Sequence, residues 1–177
     1  MANYSKAYER DLPSDSLIEH QLSRNDYVDV FAIRVQTEEP LGVDDLPPLF
    51  FEVFPTWFQV LMYIRERLAK LIGLKTAEGV DVAKQLEEFK GEPGQSIALF
   101  HVKDRSEREI LTGEEDSHLD FCLSFFAIPK EKETEIILAT TVQFNAWLGR
   151  LYFIPVKPFH RLIVPVVLRR MAKRLCA

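Results

Sequence analysis

Between Ser96 and Asn145 the chain alternates strand-length apolar runs with short charged connectors. The runs are "SIALFHV", "REILT", "HLDFCLSFFAI" and "EIILATTVQFN"; the connectors are "KDRSE", "GEEDS" and "PKEKET". Connectors this short and polar act as hairpin turns, so the region is expected to form an antiparallel meander. A sheet of this kind must bury at least one face against another layer. The rest of the chain has to supply that layer.

Upstream, "YVDVFAIRVQ" is a fifth strand-length run, with Phe31, Ile33 and Val35 on one face and Asp29 and Arg34 on opposite faces. A proline-rich connection follows, with a short helix expected across "LPPLFFEVF". The clearest helical pattern is "TWFQVLMYIRERLAKLIGL": Thr56 can cap it, Trp57, Leu61, Ile64, Leu68 and Leu71 form its stripe, and Gly73 ends it. "VDVAKQLEEFKGEPGQS" reads as a helical fragment or irregular linker. Residues 1–25 read as a polar lead-in with at most one turn capped by Ser14 or Asp15, and 26–177 as a single domain.

The C-terminal stretch "WLGRLYFIPVKPFHRLIVPVVLRRMAKR" is aromatic, proline-bearing and basic. Gly149, Pro155 and Pro158 are expected to prevent one long helix across its start. From Pro158, a favoured first helical residue, Phe159, Leu162, Ile163, Val166, Val167, Met171 and Leu175 define a broad apolar face. Pro165 lies inside that pattern and is expected to kink or split the helix. The order strand, helices, strand meander, C-terminal helix specifies an α+β fold.

Charge is divided unevenly. Of 22 basic and 27 acidic side chains, seven basic and no acidic ones lie beyond Asn145. The basic end therefore meets either an anionic partner or the acidic remainder of its own chain. Arg169, Arg170, Lys173 and Arg174 also oppose the dipole at a helix C-terminus, so nucleic acid is not needed to explain them. The apolar run "LIVPVVL" is far short of the roughly 20 residues of a membrane-spanning helix, and the N-terminus lacks an apolar signal core. Two cysteines make no disulfide framework, and a cytoplasmic location is expected.

"PTWFQVLMYIRERLAKLIGLK", "HLDFCLSFF" and, most specifically, the "LGRLYF", "PFHRLIV" and "LRR" segments of the C-terminal stretch resemble a bacterial family, the domain of unknown function 2867. The resemblance implies a START-like, Bet v 1-like or helix-grip fold, with a curved antiparallel sheet around a long C-terminal helix and an apolar cavity between them. It also implies a possible NAD-binding reductase-like partner, since some members are fused to such a domain. No Gly-x-Gly-x-x-Gly fingerprint occurs in this chain, and five readable strands fall short of the seven of the full fold.

Candidate site residues follow. His118 and Asp120, two apart on an expected strand, can orient an imidazole for acid–base work or simply begin a strand after a turn. Thr140, sharing a face with Leu138, Val142 and Phe144, can hydrogen-bond a ligand or serve as a β-former. Trp57, Trp147, Tyr152 and Phe153 suit the aromatic wall of a pocket or plain core packing. His160 and Arg161 can meet a buried anion or acidic residues of the sheet. Nucleophile-elbow, P-loop, zincin and paired Cys-x-x-Cys motifs are absent, no metal site or cofactor is expected, and the four histidines are scattered. Thirteen phenylalanines favour a bulky core or apolar cavity. Three functions are consistent with these residues: binding of a hydrophobic small molecule, a cyclase- or dehydratase-like enzyme, and an interaction or peripheral membrane-surface module.

Overall fold

The computed structural model describes residues 3–37, 41–57, 63, 67 and 81–176. Among them, seven strands form one antiparallel sheet: β1 (Tyr8–Glu9), β2 (Tyr27–Gln36), β3 (Ser96–Ile97), β4 (Phe100–Arg105), β5 (Glu109–Glu115), β6 (Leu119–Pro129) and β7 (Glu133–Phe144). Their spatial order is β1-β2-β7-β6-β5-β4-β3. The described helices are α1 (Leu46–Glu52), α2 (Val82–Glu88) and the 29-residue α3 (Trp147–Leu175), besides two short 3₁₀ turns. The sheet packs against α3, a helix-grip-like α+β arrangement. The helix expected over 56–74 falls largely outside the described residues, including Leu61, Ile64, Leu68, Leu71 and Gly73.

The seven strands exceed the five readable in the sequence for two local reasons. "SIALFHV" is not one strand: it turns at Ala98 and Leu99, with Ala98 at φ 53°, to give the β3–β4 hairpin. A positive φ usually announces itself through Gly or Asn, and here neither residue is present. Gln85 of α2 offers its side-chain oxygen to the Ala98 amide at 2.9 Å, a stabilisation invisible in local sequence. The other added strand, β1, comes from the lead-in, which pairs Tyr8 with Ala32 of β2.

Both faces of the sheet are covered. On one, Phe31, Ile33, Phe125 and Leu138 meet Val167 and Leu168 of α3. On the other, Val30, Ala32, Leu111, Phe126 and Ile137 surround Ile18 of the lead-in. Burial on both sides explains why β6 and β7 read as nearly continuous apolar runs rather than alternating ones. The lead-in turn is a 3₁₀ segment at Leu17–His20 capped by Ser16, in place of the expected Ser14 or Asp15.

The sequence expectation of a break before Pro158 is overturned. α3 runs unbroken from Trp147 through Pro155, Pro158 and Pro165, and Pro165 does not split it. A proline frees the carbonyl four residues earlier, on its own side of the helix. Pro155 and Pro158 lie on the exposed side, so water can satisfy those carbonyls. Meanwhile Phe153, Ile163, Val164 and Val167 hold the opposite side against the sheet. Packing of that side outweighs the helix-breaking tendency of the prolines. The basic C-terminus is tied to its own chain: Arg174 pairs with Glu52 at 3.3 Å and Arg170 donates to the Val53 carbonyl at 3.2 Å.

The lead-in is also fixed by charge. Glu135 of β7 accepts from the Tyr8 hydroxyl and from Arg10 at 2.8 Å. Burial pushes the Glu135 carboxyl up, but the Tyr8 hydrogen bond and the Arg10, Lys130 and Arg34 charges outweigh it and hold it below its ordinary 4.5. A carboxyl with a depressed folded value stabilises the fold above its unfolded value and loses that contribution as pH falls through the folded one. Thermal melts from roughly pH 5 to pH 3 should therefore show a fall in Tm that Glu135→Gln reduces. An unchanged slope in the variant would remove this network from the account.

Candidate functional site

A cavity of about 250 Å³ lies between the α3-facing side of the sheet and the helix. Its walls are mainly aromatic and aliphatic, with Phe50 and Phe54 from the α1 region, Phe100 of β4, Phe121 of β6 and Phe153 of α3. Edge-on contacts lock these rings: Phe50 meets Phe54 at 4.8 Å and Phe125 at 5.2 Å, and Phe100 meets Phe121 at 5.4 Å. Rigid rings leave a gap where flexible side chains would collapse.

Few polar groups face this space. Glu114, Asp116 and His118 border it from the β5–β6 hairpin, Thr140 from β7, and Tyr152 and His160 from α3. His118 is 5% exposed and its ring meets Tyr152 edge-on at 5.8 Å. Its Nδ1 is 3.4 Å from Asp116 Oδ2, within ion-pair reach but without hydrogen-bond alignment, and is unsatisfied among the described residues. The His118 carbonyl accepts from the amides of Asn145 and Ala146 at 3.0 and 3.2 Å, which anchors the turn to the start of α3.

A second imidazole is held more tightly. Asp29 Oδ2 takes the Tyr27 hydroxyl at 2.6 Å and lies 2.8 Å from His160 Nδ1. That pairing places a ring proton on Nδ1; in the neutral ring Nε2 is then the acceptor. Burial and then the Asp29 hydrogen bond raise the Tyr27 phenol far above its ordinary range, so it stays a donor. Asp29 Oδ1 is buried with no partner among the described residues. In register, Asp29 sits opposite Thr140, so this trio adjoins the cavity's polar side.

Of the sequence-expected residues, His118, Thr140, Tyr152 and His160 border the cavity. Trp57, 48% exposed, Trp147, 74% exposed, and Asp120 do not. Of the two readings of His118 and Asp120, the structure shows the strand start after a turn: His118 precedes β6, so strand alternation does not place it beside Asp120. Asp120 instead caps the turn, accepting from the Asp116 amide at 3.0 Å. Asp116 stands beside the imidazole in its place. Arg161 meets Glu9 on the surface.

Sequence reading missed Glu114 and Asp116, which looked like an ordinary charged connector. It also missed the Asp29–His160 pair, although an acid on the Phe31, Ile33 and Val35 face was a visible signal. Cys122 faces the other side of the sheet, where burial pushes its thiol up to about 11, unsuited to a nucleophile at neutral pH. Among the described residues no group of His, Cys, Asp and Glu is arranged to hold a metal ion.

Residues 21–167 match the family described as Protein of unknown function (DUF2867). The chain belongs to that family. The matched span of this DUF2867 protein runs from the lead-in through most of α3, and so includes every cavity-bordering residue named above. No curated protein and no solved structure matches the chain.

Proposed function

We propose that this DUF2867 protein binds a small, largely apolar molecule in the cavity between the sheet and α3. The observation that carries the reading is the cavity itself: about 250 Å³ with rigid aromatic walls and a few polar groups at one side. Apolar enclosure with sparse polar anchors is the usual chemistry of small-molecule sites. In its neutral form the His160 ring, held by Asp29, offers an acceptor at Nε2, and the Thr140 hydroxyl can donate or accept. Such groups suit a ligand with an apolar body and a neutral hydroxyl or amide end. The sheet order and the clasped C-terminal helix also support kinship with START-like, Bet v 1-like proteins.

Native mass spectrometry of protein from its own host, and titration with a neutral naphthylamine dye, test this reading. Thr140→Phe, which projects a ring into the cavity, should weaken dye binding by about tenfold or more. Equal dye affinity in that variant, or an experimental structure with a fully packed interior, would end the proposal.

A second reading rests on one specific observation, the buried His118 imidazole beside Asp116. On it, His118 moves a proton on the bound molecule, as a cyclase- or dehydratase-like enzyme requires. His118→Gln should then keep ligand affinity but stop conversion of any ligand that mass spectrometry identifies. Conversion at the wild-type rate would sink this second reading alone.

A further inference from the structure

α3 carries more apolar surface than its own core uses. An 18-residue window of it reaches a mean hydropathy of 1.4, yet only 28% of that window is buried. The uncovered part is ordered: Trp147, Leu151, Ile154 and Leu162 recur at helical spacing on one side and are 74%, 53%, 68% and 66% exposed. Phe159, at the edge of the same stripe, is 51% exposed. From Trp147 to Leu162 the stripe runs about 22 Å along the helix. Scattered exposed apolar residues are ordinary, but a continuous stripe marks a contact surface.

Charge indicates what the stripe contacts. Arg150 and Lys157 flank it and Arg169 and Lys173 continue it; the Arg150 charge acts on Asp26 and Lys157 lies 5.4 Å over the Tyr27 ring, but none of the four makes a close ion pair among the described residues. The segment 146–177 holds no carboxylate side chain. A second copy of this helix, laid on the first, would bring two basic, acid-free surfaces together, and like charges oppose that. An anionic lipid surface complements both features: apolar side chains enter the acyl boundary while lysine and arginine stems reach the headgroups.

We infer that the Trp147–Leu162 face of α3 docks this protein on the surface of membranes containing anionic lipid. The helix lies along the interface and does not cross it. Its other side stays on the sheet, with Val167, Leu168 and Met171 fully or almost fully buried and His160 bound to Asp29. Trp147 and Phe159 sit where aromatic rings favour the headgroup boundary. Arg161, neutralised by Glu9, adds little to the attraction.

Flotation of the whole chain with vesicles of zwitterionic lipid, with and without added phosphatidylglycerol, tests the inference. Binding is expected to the anionic vesicles at low salt, falling several-fold at high salt. Ile154→Glu combined with Leu162→Glu should cut binding by about tenfold or more with Tm unchanged, because both side chains are exposed. In the wild type, Trp147 emission should be quenched by lipids brominated along the acyl chain. Absence of flotation at low salt, or equal flotation of the double variant, would overturn the inference. So would a wild-type dimer in light scattering that the double variant dissociates without any vesicle binding, which would make the stripe an interface between copies.

Discussion

Replacement of Glu109 by alanine is expected to destabilise the protein by about 3 kcal/mol. Glu109 is fully buried in β5, where its carboxylate accepts from the Ser16 hydroxyl at 2.7 Å, the Leu17 amide at 2.6 Å and the Ser124 hydroxyl. Three donors converge on one acidic side chain, and each loses this acceptor once it is gone. Unsatisfied buried donors cost more than the bonds were worth in water, so the loss exceeds that of a surface ion pair. Urea denaturation should show the drop in midpoint. Because Glu109 joins the lead-in turn to the second face of the sheet, trypsin should also cut the variant faster at Lys6, Arg10 or Arg24. Wild-type stability with an intact lead-in would show that water replaces the carboxylate freely.

Gly149→Val is the second large effect, about 2–4 kcal/mol of destabilisation. A side chain on this first turn of α3 would overlap the His118 carbonyl oxygen and stand 2.9 Å from its carbon and 3.3 Å from Leu119 Cβ. Backbone cannot swing away as a flexible side chain would. The competing gain is small, since an ordinary residue improves on glycine inside a helix by at most ~1 kcal/mol, so the clash wins. The damage should be local as well as global. Moving α3 away from the turn strains the bonds from Asn145 and Ala146 to the His118 carbonyl, and with them the edge of the cavity. Thermal melts and dye titration should therefore fall together. Gly149→Ala should lie between wild type and the valine variant, and a melting temperature for alanine above wild type would refute the close approach.

The fold class was legible because it depends on local pattern. The strand meander, β2 and the α1 helix follow from periodicity and turn composition; of the apolar face beyond Pro158, Ile163, Val167 and Met171 are buried as expected but Phe159 and Leu162 are exposed. The continuous start of α3 was not legible. Three prolines and a glycine argue locally against a helix, and only the sheet packed on one side and water on the other reverse that preference. The division of "SIALFHV" into β3 and β4, and the strand β1, were hidden for the same reason: Ala98 turns without a turn residue, and two residues of the lead-in become a strand only because β2 offers an edge.

The candidate site divides in the same way. Thr140 was placed on the inner face by strand alternation, and alternation holds there because β7 is regular from Glu133 to Phe144. For His118 alternation offered Asp120 as a partner, whereas Asp116 stands 3.4 Å from its ring, because the strand starts one residue after His118, beyond the reach of the two-residue period. Asp29 and His160, 131 positions apart, could not be joined by any local rule.

What the sequence determined alone was the kind of elements, their order, and the concentration of apolar and basic side chains in the segment beyond Asn145. Those are properties of neighbouring residues, and neighbours are what a sequence specifies directly. Which side of α3 meets the sheet, which meets solvent, and which acids stand beside the two imidazoles were decided only in three dimensions. Burial and hydrogen-bond partnership are relations between distant segments, and they exist only once the chain has closed on itself.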